Sequence, residues 1–194
     1  MIAGIVLAGG ASTRMGQPKA LLPLGGLTLA EHAFNLFSPH CSATVIITGA
    51  HDFEMRQALP HLASHLHCNT LHALGMFSSL SLGLHHFPHA SAILFTPVDF
   101  AAVHPASVQK LFDAPPAPLT KPRWQGHSGH PILVRDTALA ALRAAPSTAN
   151  AKEILSAFPS QYLDVDDRAV AEDCDTPQDY QRLLSWWQPA QPAQ

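Results

Sequence analysis

The sequence has few charged residues and no long apolar run. Only 13% of its 194 residues are Asp, Glu, Lys or Arg, whereas 47% are hydrophobic, a balance typical of a compact folded chain. The formal net charge is -3 and no basic stripe occurs, which argues against a large nucleic-acid-binding surface. No apolar segment reaches the length of a membrane span. We expect one domain, residues 1–187, then a disordered tail, residues 188–194, with neither a membrane nor a nucleic-acid partner.

Cysteine is scarce as well. Cys41, Cys68 and Cys174 are widely spaced and form no C-x-x-C pair, which favours free thiols over a disulfide framework. The first residues lack the basic start and the cleavage pattern of a signal peptide. Together these features predict a cytoplasmic protein.

Two common nucleotide-binding motifs are missing. The P-loop requires a lysine directly after its last glycine, whereas Gln-Pro separates Gly16 from Lys19 here. The G-x-G-x-x-G of dinucleotide-binding folds is also absent, because Gly9 and Gly10 are adjacent. A nucleotide site in this chain must therefore be of another kind.

The start of the chain nevertheless has a phosphate-binding pattern. Residues 2–8 are typical of a buried parallel strand, and Gly9-Gly10 lets the backbone approach a ligand closely. Successive N–H groups in such a turn form a concavity that binds anions. Arg14 and Lys19 add positive charge to the same loop, so the pattern predicts binding of nucleotide phosphates.

Strand-like and helix-like segments alternate along the chain, which predicts an α/β fold with a parallel sheet. Further strands are predicted at residues 43–48, 66–69, 92–96, 131–134 and 161–165, the last at a sheet edge. Helices are predicted at residues 29–37, 51–59, 76–86, 136–143, 150–158 and 176–187. The proline-rich residues 113–118 predict a loop.

Asp99 stands at the carboxyl end of the predicted strand 92–96. Ligands of open parallel sheets gather outside the carboxyl ends of the strands, where the glycine loop also lies. An aspartate at this point either offers a hard oxygen ligand to Mg²⁺ or caps the helix that follows. The residue types alone leave both roles open.

The glycine loop resembles the signature L-A-[AG]-G-x-S-x-R-M-G-x-x-K of the MobA-like NTP transferases, a family that includes the enzymes joining GMP or CMP to molybdopterin. Every fixed position matches: Leu7, Ala8, Gly9, Gly10, Ser12, Arg14, Met15, Gly16 and Lys19. Residues 75–84, 126–133 and 173–179 resemble the family segments G-M-x-S-S-L-x-x-G-L, G-x-x-G-H-P-x-L and D-x-D-T-P-x-D. The resemblance thus extends from Leu7 to Asp179.

This resemblance implies a single-domain, three-layer Rossmann-like nucleotidyltransferase fold with a mostly parallel central sheet. It implies Mg²⁺-dependent transfer of NMP from CTP or GTP to a phosphate-bearing acceptor such as molybdopterin, with a molybdoenzyme as a further recipient. Leu-Ala-Gly-Gly is similar to the guanylyltransferase branch, whereas residues 76–84 and 129–131 are similar to the cytidylyltransferase branch, to which the chain as a whole is nearer. Residues 147–152 depart from the G-D-x-G-A-R-like segment of that branch.

The resemblance also implies roles for individual residues. Arg14 and Lys19 are the expected catalytic cations. The expected nucleotide-binding residues are Leu7, Ala8, Gly9, Gly10, Ser12, Gly16, Ser78 and Ser79. The expected metal ligands are Asp99 and Asp175, with Asp173 as the next choice, and the expected acceptor-binding residues are Lys121, Arg123, Gly129 and His130.

Other interpretations of these segments remain. Ser78 and Ser79 could cap a helix, residues 126–133 could form a glycine-rich hairpin, and Asp175 could lie only next to a helix N-cap. The whole chain could also be a catalytically weak nucleotide-binding chaperone or regulator of molybdoenzyme maturation. A sugar-phosphate nucleotidyltransferase is a third possibility, because such enzymes share the glycine-rich loop.

Overall fold

A computed structural model describes residues 1–188 of the chain. Its strands are β1 (Ile2–Leu7), β2 (Pro23–Leu24), β3 (Leu27–Thr28), β4 (Ala43–Thr48), β5 (Leu66–Cys68), β6 (Ala92–Pro97), β7 (Leu119–Trp124), β8 (His127–Ser128), β9 (Ile132–Arg135) and β10 (Ser160–Asp164). Its α-helices are α1 (Leu29–Phe37), α2 (Asp52–Ala58), α3 (Met76–His86), α4 (Pro105–Asp113), α5 (Asp136–Ala144), α6 (Ala151–Ser156) and α7 (Pro177–Trp186).

The main sheet has the strand order β10-β7-β9-β6-β1-β4-β5, with β8 paired to β7. β1 lies inside the sheet and pairs in parallel with both β4 and β6. β9 runs antiparallel to its neighbours β6 and β7, whereas β10 is parallel to β7. The predicted mostly parallel sheet is therefore confirmed, and β10 lies at an edge as expected.

Apolar side chains of β1 alternate between the two faces of the sheet. Ile5 and Leu7 belong to one buried cluster, which also contains residues of α3, α5 and α6. Val6 belongs to a second cluster with residues of α1, α4 and α7. Because a strand buried on both faces needs a helical layer on each side, this arrangement gives the predicted three layers.

Three elements were not predicted from the sequence. α4 begins at Pro105 after His104, whose ring Nδ1 accepts the Ala106 N–H at 3.2 Å, an unusual N-cap. β7 contains Pro122, a residue that ordinarily argues against an interior strand. The third is the β2–β3 hairpin, a pair of two-residue strands.

No helix within residues 1–188 has both the length and the apolar character that a membrane crossing requires. Most of the predicted tail, residues 189–194, lies outside the described residues. The domain boundary expected after residue 187 therefore stays a prediction.

Candidate active site

A cleft of about 340 Å³ opens at the carboxyl edge of the sheet, where β1, β4 and β6 end. Loops after these strands and the loop before α7 form its walls. Ten residues predicted for the site line it: Leu7, Ala8, Gly9, Gly10, Ser12, Arg14, Lys19, Ser79, Asp99 and Asp175. The fold therefore brings the amino-terminal signature together with aspartates about 80 and 156 positions away.

The glycine pair forms the floor of this cleft. The Gly9 carbonyl accepts the Ala50 N–H at 3.4 Å, which joins the loop to the turn after β4. Within residues 1–188, neither the Gly9 N–H nor the Gly10 N–H has an acceptor in the protein. Gly9 is buried, whereas Gly10 is exposed. Because buried backbone N–H groups are normally paired, the Gly9 N–H in particular suits an anionic ligand, and the Gly10 N–H is open to the same ligand.

The two glycines differ in how closely they are packed. A Cβ at Gly9 would lie 2.7 Å from Ser79 Oγ, whereas a Cβ at Gly10 would meet nothing within 4 Å. Gly9 is therefore needed to bring the loop against α3. Gly10 has open space in front of it, in which a ligand could approach the backbone.

Ser12 organises the second half of the loop. Its hydroxyl accepts the Lys19 N–H at 3.1 Å, and its carbonyl accepts the N–H groups of Met15 and Gly16. Ser12 has a left-handed backbone with φ of 50°, and Gly16 has φ of 71°. Gly16 shapes the turn but does not line the cleft, so its predicted nucleotide contact stays a prediction.

Lys19 and Arg14 meet Asp99 and Asp175 inside the cleft. Lys19 Nζ lies 2.5 Å from Asp175 Oδ1 and 3.1 Å from Asp99 Oδ2. Arg14 donates to the other oxygen of Asp175. One ammonium thus bridges the two carboxylates that were predicted to share a metal ion.

Contacts and burial shift the pKa values of Lys19, Asp99 and Asp175. Burial acts to lower the pKa of Lys19, but the carboxylates of Asp99 and Asp175 outweigh it and raise that pKa. The Lys19 hydrogen bond holds the pKa of Asp175 below its usual value. Burial raises the pKa of Asp99 in spite of the nearby ammonium. Asp99 is therefore the carboxylate that gains most from additional positive charge.

The donor set fits a divalent cation. Asp99 Oδ1 is buried and has no hydrogen-bond partner among the described residues, so it is an acceptor that still requires a positive group. Within residues 1–188 no three His, Cys, Asp or Glu side chains converge on one point. Two carboxylates alone suit Mg²⁺, which keeps several waters and takes phosphate oxygens as further ligands.

Asp175 is held by the start of α7. Thr176 is the N-cap, and its hydroxyl accepts the Asp179 N–H at 3.2 Å. The Asp179 carboxylate in turn accepts the N–H groups of Thr176 at 2.8 Å and Asp175 at 3.2 Å. Because this capping box is made without the Asp175 side chain, that carboxylate can turn into the cleft. Asp173 is exposed and does not line the cleft.

The two predicted serines differ in position. The buried amide of Asn69 donates to Ser78 Oγ at 2.8 Å and to Ser79 Oγ at 3.0 Å. Ser78 Oγ also contacts the Gly75 carbonyl at 2.7 Å and does not line the cleft, whereas Ser79 does. Neither serine is the N-cap of α3, because Gly75 occupies that position.

Three residues of this region were missed in the sequence. Asn69 follows β5 directly and orders both serines, and its place after a strand at the carboxyl edge was the available signal. His51 and His72 line the cleft from the turn after β4 and from the turn before α3. Neither histidine belongs to a recognisable motif, so no local pattern marks them.

The predicted acceptor residues lie beside the cleft, at the same edge of the sheet, and none of them lines it. Arg123 forms two hydrogen bonds with Asp164 across β7 and β10, at 2.7 and 2.9 Å. A Cβ at Gly129 would lie 1.7 Å from the Val170 carbonyl oxygen. Because Gly129 has no side chain, its backbone can pack directly against the backbone of Val170. Lys121 lies on β7 near His130. The pKa of His130 is lowered by burial and also by the charge of Lys121.

Residues 126–133 combine a hairpin with the start of another strand. Arg123 pairs with Ser128 and Trp124 with His127 across a turn of Gln125 and Gly126, both with positive φ. The hairpin interpretation is therefore correct for this part. Gly129 and His130 then lead into β9.

His130 is covered at the carboxyl end of β6. Its ring centroid lies 5.7 Å from that of Phe95 and 4.8 Å from that of Phe100. Burial lowers the pKa of His130 to about 4, and its Nδ1 has no partner among the described residues. His130 is therefore a neutral imidazole with one buried nitrogen that no described group satisfies.

Comparisons with known proteins agree with this geometry. Residues 4–165 match the family model described as a MobA-like NTP transferase domain. The molybdenum cofactor cytidylyltransferase of Escherichia coli is 24% identical over 178 residues, which cover 91% of this chain and 92% of that protein. A probable molybdenum cofactor guanylyltransferase of Bacillus cereus is 47% identical over 49 residues, only 25% of this chain and 24% of that protein.

A solved structure shares the whole fold. Rv0371c from Mycobacterium tuberculosis, crystallised as a complex with manganese, superposes with a TM-score of 0.78 at 25% identity. The superposition covers 95% of this chain and 98% of that one. It confirms the predicted Rossmann-like architecture, and the names of the relatives confirm the nucleotidyltransferase class for the family. The chain belongs to the family of MobA-like NTP transferase domains.

Proposed function

We propose that this protein is a metal-dependent nucleotidyltransferase that moves NMP from CTP or GTP to a phosphate-bearing acceptor and releases pyrophosphate. The observation that carries the proposal is the convergence of Arg14, Lys19, Asp99 and Asp175 on one cleft. Two backbone N–H groups without acceptors lie on the loop that forms its floor. This combination suits a triphosphate and a cation, and it lacks the features of a nucleophilic enzyme.

The proposed reaction requires no covalent intermediate with the protein. An oxygen of the acceptor phosphate attacks the α-phosphorus in line, and the bond from that phosphorus to the bridging oxygen of pyrophosphate breaks. Lys19 offsets the charge that develops on the α-phosphate, and Arg14 offsets the charge of the departing pyrophosphate. The N–H groups of Gly9 and Gly10 hold the phosphates in place.

Asp99 and Asp175 are the proposed ligands of Mg²⁺, and Asp173, which is exposed, is the weaker candidate. When bound, Mg²⁺ neutralises phosphate charge and orients the two reacting groups. The unpartnered Asp99 Oδ1 supports this assignment. The manganese complex of the M. tuberculosis structure supports a divalent ion in general, and Mg²⁺ is our specific choice.

The acceptor is proposed to lie on the side of β6 that faces β9 and β7. Lys121 and His130 would meet its phosphate, and the backbone around Gly129 would border it, with Arg123 farther out along β7. Molybdopterin is the first candidate acceptor, because the relatives are named as molybdenum cofactor guanylyl- and cytidylyltransferases. A cytoplasmic location and a molybdoenzyme as later recipient belong to the same proposal.

Pyrophosphate release tests this proposal directly. The protein is incubated with Mg²⁺ and with CTP, GTP or ATP in turn, with and without molybdopterin, and the Lys19→Ala variant is the control. We expect release that needs the acceptor, that EDTA abolishes and that favours CTP or GTP over ATP.

Each alternative function has its own signature in the same assay. Nucleotide binding without pyrophosphate release would indicate the chaperone or regulator of molybdoenzyme maturation. Release with sugar 1-phosphates in place of molybdopterin would indicate the sugar-phosphate enzyme. The preference between CTP and GTP would also decide between the two branches of the family.

A further inference from the structure

His51 makes a contact that connects two separate parts of the nucleotide site. It is the N-cap residue of α2, in the turn after β4, and its ring lines the cleft. Its Nε2 lies 3.0 Å from the carbonyl oxygen of Ala11, and its Nδ1 lies 3.4 Å from Glu54 Oε1. His51 thus bridges the phosphate-binding loop and the first turn of α2.

The identity of the nearer partner fixes the role of one ring nitrogen. The carbonyl oxygen of Ala11 is an acceptor, so the contact at 3.0 Å requires a proton on Nε2. The contact of Nδ1 with Glu54 is longer, at 3.4 Å, and the Glu54 side chain is half exposed. The hydrogen bond from Nε2 to the Ala11 carbonyl is therefore the contact by which His51 acts on the phosphate loop.

The contact also fixes the direction of the loop backbone. A trans peptide group points its C=O and the following N–H in opposite directions. The Gly9 carbonyl is held by the Ala50 N–H and the Ala11 carbonyl by His51, both from the turn after β4. The N–H groups of Gly10 and Ser12 consequently point away from that turn. Without the His51 contact, the longer hydrogen bond of 3.4 Å from the Ala50 N–H to the Gly9 carbonyl would have to hold these loop carbonyls to the turn after β4.

We propose that His51 is a positioning residue that holds the phosphate loop in its nucleotide-binding conformation through the hydrogen bond from its Nε2 to the Ala11 carbonyl. This inference rests on the proposed function and adds a residue to it. Among residues 1–188, only Glu54 and the Ala11 carbonyl are hydrogen-bonded to the His51 ring.

Substitutions of His51 separate its hydrogen bond from the bulk of its side chain. We expect His51→Ala to raise the KM for the NTP about fivefold and to change kcat less than about twofold, as for loss of one hydrogen bond. His51→Gln keeps a donor near the Nε2 position, so its KM should stay close to that of the unsubstituted protein.

His89→Gln is the matched control, because His89 is exposed before β6 begins, at the opposite edge of the sheet. Its KM for the NTP should equal that of the unsubstituted protein.

A spectroscopic measurement tests the hydrogen bond without any turnover. In protein labelled with ¹⁵N-histidine, the His51 signal is the one lost in His51→Gln, and its Nε2 should carry a proton. An Nε2 without a proton, or an unchanged KM in His51→Ala, would overturn the inference. Absence of pyrophosphate release by the unsubstituted protein would instead contradict the proposed function, and the ¹⁵N result would still decide the role of His51 Nε2.

Discussion

The two halves of the sheet edge use their polar groups differently. In the proposed nucleotide half, around β1 and β4, the Gly9 and Gly10 N–H groups and Asp99 Oδ1 lack partners among the described residues. In the proposed acceptor half, around β7 and β9, Arg123 is paired with Asp164, Gly129 packs against Val170, and among residues 1–188 His130 Nδ1 lacks a partner. The first half suits a highly charged ligand. The second offers fewer unpaired groups, so we expect its ligand to depend on fewer contacts.

The largest effect should come from removing the cation that both aspartates share. We expect Lys19→Ala to lower turnover about a thousandfold, because preorganised charge at the reacting phosphate supplies several kcal/mol of transition-state stabilisation. The measurement is steady-state pyrophosphate release, with circular dichroism to verify the fold. Lys110→Ala, at an exposed position of α4, is the control. If Lys19→Ala and Lys110→Ala released pyrophosphate at equal rates, Lys19 would have no catalytic role in the nucleotide half.

The contrast between the two glycines can be tested within the nucleotide half itself. Gly9→Ala should lower the free energy of unfolding by about 2 kcal/mol, because its Cβ would lie 2.7 Å from Ser79 Oγ. Gly10→Ala should change that free energy by less than about 0.5 kcal/mol but raise the KM for the NTP. Urea denaturation provides both unfolding values. Adding Ser79→Ala should recover most of the loss in Gly9→Ala, and a failure to do so would mean that the clash is not its cause.

Two neighbouring cations sharpen the comparison in the acceptor half. Lys121→Ala should raise the KM for the acceptor about tenfold, as for loss of one phosphate contact. Arg123→Ala should raise it less than about threefold, because this guanidinium is already bound to Asp164. The KM for the NTP should stay constant in both variants. A larger effect of Arg123→Ala would show that its pair with Asp164 opens when the acceptor binds.

The smallest effect concerns the stability of the acceptor half at low pH. The pKa of His130 is about 4 in the folded chain, below the ordinary value of about 6.5, so the unfolded chain binds more protons between these values. Stability from this residue is full above pH 6.5 and is lost as the pH falls towards 4. Allowing for partial exposure, the loss between pH 7.5 and pH 5 is about 1 kcal/mol. Denaturation curves of His130→Gln at pH 7.5 and pH 5 should not show this loss of unfolding free energy. If His130→Gln and the unsubstituted protein lost the same free energy between these pH values, His130 would not be its source.

The sequence could group residues that line the cleft because many of them are close together in the chain. The strand, the glycine pair and both cations of the loop lie within one short segment that ends at Lys19. Asp99 could be assigned to the same edge of the sheet because it follows an apolar strand. Asp175 was assigned through its resemblance to a family segment at the Thr176-Pro177 helix start, and the roles of both aspartates stay predictions.

The remaining site residues depend on contacts that no local pattern predicts. Asp164 pairs with Arg123 across 41 positions, and His51 reaches Ala11 across 40. β7 was missed because Pro122 interrupts its strand pattern, although its neighbours on both sides of the sheet supply the pairing. Position along the chain therefore decided which side chains could be assigned.

The reversed direction of β9 has a consequence for where this chain can tolerate insertions. The chain reaches β9 through the exposed turn of Gln125 and Gly126, which joins β7 to β8. Residues inserted at this turn would lengthen a surface hairpin next to the proposed acceptor half and leave the register of β1 with β4 and β6 intact. The length of one hairpin can therefore vary without disturbing the strands that position the proposed nucleotide half.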